Sequence, residues 1–167
     1  RVETPWGLSS LDQAGVYRLR PHRLQLHGLL DDFMGPGNPW GVVFDDWGQS
    51  LVVDGAGGVS FLTPARIPAK HRLRLDRIGK PGGYCGVEMI NGRHWPEPMR
   101  GQFVLNDFKS NTVRRFELSP DGSGYRLDWK EPVLKSSHRN FRPVDIRIGP
   151  DGAIYIADFY NTIICHQ

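Results

Sequence analysis

The chain has 167 residues, with 21 lysines and arginines against 18 aspartates and glutamates and a net charge of +3. The basic residues are scattered among apolar ones in RLRPHR, KHRLRLDR and VRRF, as on solvent faces of strands, so no nucleic-acid partner is expected. No apolar run approaches the ~20 residues of a transmembrane helix, no signal peptide is visible, and the 20 glycines and 13 prolines fit a turn-rich all-β fold.

In chain order, residues 15–20 (GVYRLR) and 24–27 read as the third and fourth strands of one unit. Residues 29–34 have room for one helical turn and no more. Val42 and Phe44 then alternate into a turn at Asp45-Asp46-Trp47-Gly48, and Leu51 and Val53 return on a second strand. Residues 63–83 are the least regular part. An outgoing strand at 85–90 is followed by an insertion with two prolines, NGRHWPEPMR, before the returning GQFVLND. Residues 113–118 and 125–129 are expected as third and outer strands, joined by the turn PDGSG. Val144, Ile146 and Ile148 alternate with polar residues, Gly149-Pro150-Asp151-Gly152 turns the chain, and Ile154 and Ile156 resume the buried face.

These hairpins are copies of one unit. A turn glycine (Gly48, Gly101, Gly152) is followed by a short apolar run and an aspartate (Asp54, Asp107, Asp158). The first and third copies also match at Pro39 with Pro143, Val42 with Ile146 and Phe44 with Ile148. The second and third match at Asp107-Phe108 with Asp158-Phe159, and at Asn111-Thr112-Val113 with Asn161-Thr162-Ile163. Strand-rich repeats of about 50 residues are the mark of β-propeller blades. The expected fold is a partial β-propeller over 1–167, with about three four-stranded blades. Repeats lie near 38–83, 84–140 and 141–167, the last continuing beyond the chain, and 1–37 ends a preceding blade. Propellers close with roughly four to eight blades, so further blades are expected elsewhere. A small complete sandwich is the competing architecture.

In a propeller, each inner hairpin starts and returns at one end of the channel. Asn38, Trp40 and Asp54, then Glu88, Asp107, Lys109 and Asn111, then Arg142, Asp145, Asp158, Tyr160 and Asn161 would gather at one mouth. Asp54, Asp107 and Asp158 have the chemistry for a hard cation such as Ca²⁺. Their recurrence in every copy points instead to a scaffold role, capping N–H groups of the next loop. Glu88, where the repeat elsewhere offers Asp145, suits a sugar hydroxyl, a cation or a proton, or is a solvated channel-lining carboxylate. Arg142 offers a planar fork for an anionic cofactor, or pairs with Asp145 or Asp158. His166 is a candidate general base.

His71, His94 and His138 have no partner at metal-ligand spacing. Gly55-Ala56-Gly57-Gly58 precedes no helix and is not a dinucleotide loop. Trp6, Trp40 and Trp47 are expected to pack between blades. Cys85 and Cys165 form no metal or haem signature; each reads as a small buried residue, and the sequence leaves a disulfide open.

The runs NPWGVVFDDWGQSLVVDGAGG, CGVEMINGRHWPEPMRGQFVLNDF, VRRFELSPDGSGY and NFRPVDIRIGPDGAIYIADFYNTII resemble the propeller of planctomycete and verrucomicrobial membrane-bound dehydrogenases. The likeness covers most of 15–166. It implies kinship with the glucose/sorbosone dehydrogenase group: six-bladed, extracytoplasmic oxidoreductases acting on a carbohydrate or polyol with pyrroloquinoline quinone and Ca²⁺. Larger members carry helical repeats and a C-terminal c-type haem domain. This chain has no haem signature and lacks about half of such a propeller. Thr162 stands where the family usually has proline, and Gln167 where it has glycine. The alternative function is a non-catalytic propeller module that binds a glycan or a protein.

Overall fold

Alternating apolar side chains and glycine turns dictate strands, and the computed structural model is built of them. It describes residues 38–55, 57–61, 78–79, 82–122 and 124–163, together with strand backbones at the N-terminal side and at 63–64. β1 (Val2–Thr4) pairs with β2 (Gly7–Ser9), and β3 (Val16–His22) with β4 (Gln25–Met34). β5 (Pro39–Phe44), β6 (Ser50–Asp54) and β7 (Gly58–Phe61) form a three-stranded sheet, while β8 (Thr63–Pro64) adds to the edge of β4. β9 (Tyr84–Met89), β10 (Phe103–Asp107), β11 (Thr112–Asp121) and β12 (Gly124–Lys135) form a four-stranded meander in that order. β13 (Pro143–Ile148) and β14 (Ile154–Asp158) close the described chain as a hairpin. Every pairing is antiparallel.

Residues 29–34 are strand, not a helical turn: they continue β4, because its pairing with β3 satisfies their backbone. Among the described residues the helical content is one 3-10 turn, Glu97–Met99, inside the proline-bearing insertion. No helix among them is long and apolar enough to cross a membrane.

The registers of the three inner hairpins correspond. Pro39, Tyr84 and Pro143 stand opposite Asp54, Asp107 and Asp158. Each first strand then carries an unpaired extra residue: Trp40, Gly86 and Val144. A bulge near the start of each first strand bends it.

Packing separates a propeller from a sandwich. One apolar layer joins Val43, Leu51, Val53 and Val59 of the β5–β7 sheet to Tyr84, Val87, Phe103, Leu105 and Phe116 of the next. A second layer joins Ile90, Val104 and Val113 to Ile146, with Ile148, Ile154 and Ile156 packed against them. The β9–β12 sheet is therefore covered on both faces, and all five residues of β10 are buried. A two-layer antiparallel sandwich would leave its outer faces to water. The architecture is a partial β-propeller, with β9–β12 as a whole blade between two neighbours.

The first strands converge. β9 lies against β5 on one side and β13 on the other. A Cβ on Gly41 would lie 3.3 Å from Gly86 Cα, and one on Gly86 would lie 3.0 Å from Asp145 Cα and 3.1 Å from Ile146 N. Gly86 also has φ +58°, in the left-handed region that suits glycine. Beside it, the buried Cys85 thiol donates to Pro143 O across the blade boundary at 3.2 Å. Burial, then the nearby Asp107 and Asp145 charges, push its pKa up to about 12. Cys165 and Trp6 lie outside the described residues.

Trp47 departs from its expected place between blades. Trp47 is 93% exposed, because Asp45 Oδ1 accepts from both Trp47 N and Gln49 N and locks a turn that projects the indole outward. Trp129 instead packs on the first apolar layer, edge-on to Phe116 at 5.7 Å.

Gly86→Ala should destabilise the chain by about 2–3 kcal/mol, the left-handed penalty plus displacement of the facing backbone. Gly101→Ala has φ +79° but nothing within 4 Å of the added Cβ, and should cost about 1 kcal/mol. Urea unfolding midpoints of the two variants check the difference.

Candidate functional site

The loops after β6, β10 and β14 meet at one end of the inner strands. Trp40, at the start of β5, has its ring 6.4 Å from that of Phe108, in the loop after β10. Phe108 O accepts from Arg142 Nη1 at 2.7 Å, at the entry to β13. Asn111 Nδ2 donates to Phe141 O. Trp40, Asn111 and Arg142, one predicted mouth residue from each blade, are thus linked through Phe108 and Phe141.

The three aspartates serve their own loops. Asp54 Oδ1 accepts from Gly57 N at 2.9 Å. Asp107 Oδ1 accepts from Ser110 N at 3.2 Å, and Oδ2 from Arg114 Nε at 2.7 Å. Asp158 Oδ1 accepts from Arg142 N at 2.7 Å and Tyr160 N at 2.9 Å. Among the described residues no three His, Cys, Asp or Glu side chains gather as a metal site. Each of Asp54, Asp107 and Asp158 has one oxygen on a backbone N–H, the contact that the capping reading calls for, and the second oxygen of Asp107 is on Arg114.

Arg142 binds neither an aspartate nor an open site through its side chain. Nε donates to Asn161 O at 3.0 Å, Nη2 to Thr162 O at 3.2 Å and Nη1 to Phe108 O. The guanidinium fork ties the loop after β14 to the loop of the neighbouring blade. Asp145 lies 3.4 Å from Arg147 instead, in a half-exposed pair worth little. Asn161 Oδ1 accepts from Ile163 N at 3.3 Å, a local loop bond.

Glu88 is half-buried, and its Oε1 accepts from its own neighbour Met89 N at 3.1 Å. The register places it opposite Val104, the position held by Val43 and Arg147 in the flanking hairpins. The position of Asp145 belongs to Cys85, because the extra residue in β9 is Gly86, one place later than Trp40 or Val144 in theirs. His166 lies outside the described residues.

Two features were not foreseen. Asn106 is fully buried opposite Cys85, and neither its amide oxygen nor its nitrogen has a hydrogen-bond partner. Its signal was visible: an asparagine where the other copies have Val53 and Ala157. Tyr160 has φ +47° and its ring stacks on His138 at 5.6 Å; nothing in its sequence neighbourhood marks that pairing.

The family model described as "Domain of unknown function (DUF7133)" matches residues 59–167. The chain belongs to this family. No curated protein matches the DUF7133 chain. Its fold is shared with a solved structure described as glucose dehydrogenase, at 21% identity and a TM-score of 0.54, over 73% of this chain and 37% of that one. A second glucose dehydrogenase structure matches at 21% identity and a TM-score of 0.53, over 73% of this chain and 42% of its own. The DUF7133 chain thus spans less than half the length of these structures.

Arg142→Ala should destabilise the chain by about 2 kcal/mol, since three carbonyls lose a charged donor. Arg142→Lys should recover less than half of that, because one ammonium cannot reproduce the fork. Chemical denaturation of the two variants checks both values.

Proposed function

We propose that the DUF7133 chain supplies adjacent blades of a glucose/sorbosone dehydrogenase-like propeller, and that the whole protein is an oxidoreductase acting on a carbohydrate or polyol. The observation that carries this reading is the glucose dehydrogenase fold together with three polar loops meeting at one end of the inner strands. In this reading the ring has six blades, the remainder coming from other segments. The protein is extracytoplasmic and of the planctomycete membrane-bound dehydrogenase type, with a c-type haem domain on the full-length chain.

Roles divide by what each side chain already does. Asp54, Asp107, Asp158, Arg142 and Asn161 hold the loops in shape. Glu88 and Asp145, half-buried on adjacent inner strands, retain carboxylate oxygens that can accept from sugar hydroxyls. His166 is the base that this segment offers for a substrate proton.

Pyrroloquinoline quinone and Ca²⁺ are implied by the resemblance, and the described residues do not fit them. An anionic quinone calls for uncommitted cationic forks, and calcium for a cluster of oxygen donors. Arg142 is committed to carbonyls and the aspartates to N–H groups. This commitment favours a second reading, a non-catalytic module whose mouth holds a glycan or a partner protein.

The test is dye reduction by the full-length protein with aldoses and sorbosone, with and without added quinone and Ca²⁺. The proposal expects turnover, and a fall of about tenfold in kcat/KM for Glu88→Gln and for Asp145→Asn, roughly 1.4 kcal/mol each. Absence of both turnover and quinone binding overturns it, and glycan retention without dye reduction supports the binding module.

A further inference from the structure

A separate cleft opens on the outer half of the β9–β12 blade. Its origin is a break in register. Val113 pairs with Leu134, but Arg115 pairs with Lys130, so the segment 131–133 bulges from β12. Pro132 sits in that bulge, where no ladder N–H is required. The cleft encloses about 180 Å³ and is lined by Ser110, Thr112, Arg114, Trp129, Lys130 and Lys135, among others. Drug-sized ligands occupy roughly 300–1,000 Å³, so this space takes one ring or one small ion.

The polar lining is unbalanced. Arg114 Nε is bound to Asp107 Oδ2, and Lys130 Nζ to Glu117 Oε2 at 2.8 Å. Thr112 Oγ1 donates to Ser110 O at 2.9 Å, which leaves Lys135, the Ser110 hydroxyl and the Nη edge of Arg114. Lys135 has no carboxylate partner among the described residues. The Ser110 hydroxyl is buried with no hydrogen-bond partner, although a buried polar group ordinarily has one. Arg114 bonds only through Nε, which leaves its Nη edge without a hydrogen bond among the described residues. Its guanidinium lies 5.4 Å from the centre of the Trp129 ring, so cation and apolar wall adjoin. An ammonium, a guanidinium edge and a hydroxyl around one cleft match an oxygen-rich anion. Trp129 matches the carbon face of the body that carries it.

We propose that this cleft binds an acidic sugar unit, its carboxylate or sulfate held by Lys135, Ser110 and Arg114 and its ring set against Trp129. The site lies beside the mouth, sharing with it the loop after β10 and the Arg114–Asp107 pair, while most of its lining is on β11 and β12; its binding is read without redox turnover.

The experiment is isothermal titration of the full chain with glucuronate, glucose sulfate, glucose and inorganic sulfate. Glucuronate or glucose sulfate should bind about tenfold or more tightly than glucose or inorganic sulfate, the difference of one charge-assisted contact set. Lys135→Glu should weaken the acidic sugar by about tenfold or more. Ser110→Ala should weaken it by about threefold or more without lowering the unfolding midpoint, since it removes a buried hydroxyl that has no partner. Which acidic sugar binds tighter identifies the anion. Equal binding of glucose and glucuronate, sulfate binding as tightly as either acidic sugar, wild-type affinity in both variants, or no binding by wild type each overturns the proposal.

Discussion

The structure depends on one sheet having to hide both of its faces. β10 reads FVLND, and every one of its residues is buried. Phe103 and Leu105 need a neighbour on one side, and Val104 needs a different neighbour on the other. A lone sheet would expose one of those faces at roughly 1.5–3 kcal/mol per large apolar side chain. The β5–β7 sheet and the β13–β14 hairpin supply the two covers. Their first strands consequently crowd against β9, and only the missing side chains of Gly41 and Gly86 let the backbones come so close.

That geometry explains what the polar groups at the inner end do. Three loops leave three blades at one place, and their backbone N–H and C=O groups must be satisfied. The repeated aspartate caps the N–H groups of each loop, and Arg142 gathers carbonyls from two blades. A residue repeated in every copy is expected to serve the scaffold, and each of these aspartates holds a backbone N–H of its own loop. Groups that break the repeat are better markers of chemistry. Glu88 replaces Val43 and Arg147, and Asn106 replaces Val53 and Ala157. A buried amide without a partner costs about 1–3 kcal/mol, which sets Asn106 apart from the apolar residues beside it.

The fold was legible because it is written as periodicity. Alternation placed the hairpins at 42–53 and 144–156, and the glycine–aspartate phrase gave the blade repeat. The match of Pro39, Val42 and Phe44 to Pro143, Ile146 and Ile148 reappears as equal registers. Signals that are local failed where tertiary pairing overrides them: residues 29–34 joined β4. The site was less legible. Arg142 has a side chain that reads as a ligand for anions, and only three-dimensional proximity reveals that its partners are carbonyls. Glu88 stands level with Arg147 rather than with Asp145, because the hairpins align through Tyr84 and Pro143, a pairing that alternation alone does not show. The cleft at 131–133 arises from a register break, which alternation alone cannot show either.

Amide hydrogen exchange tests the two-sided burial of the middle blade most directly. The account predicts that Phe103–Asp107 holds the slowest-exchanging amides of the described strands, opening only with global unfolding, while the exposed end of β12 exchanges by local fraying. Exchange at Phe103–Asp107 as fast as at the β12 end would contradict it, because a strand enclosed between two neighbouring blades cannot open alone.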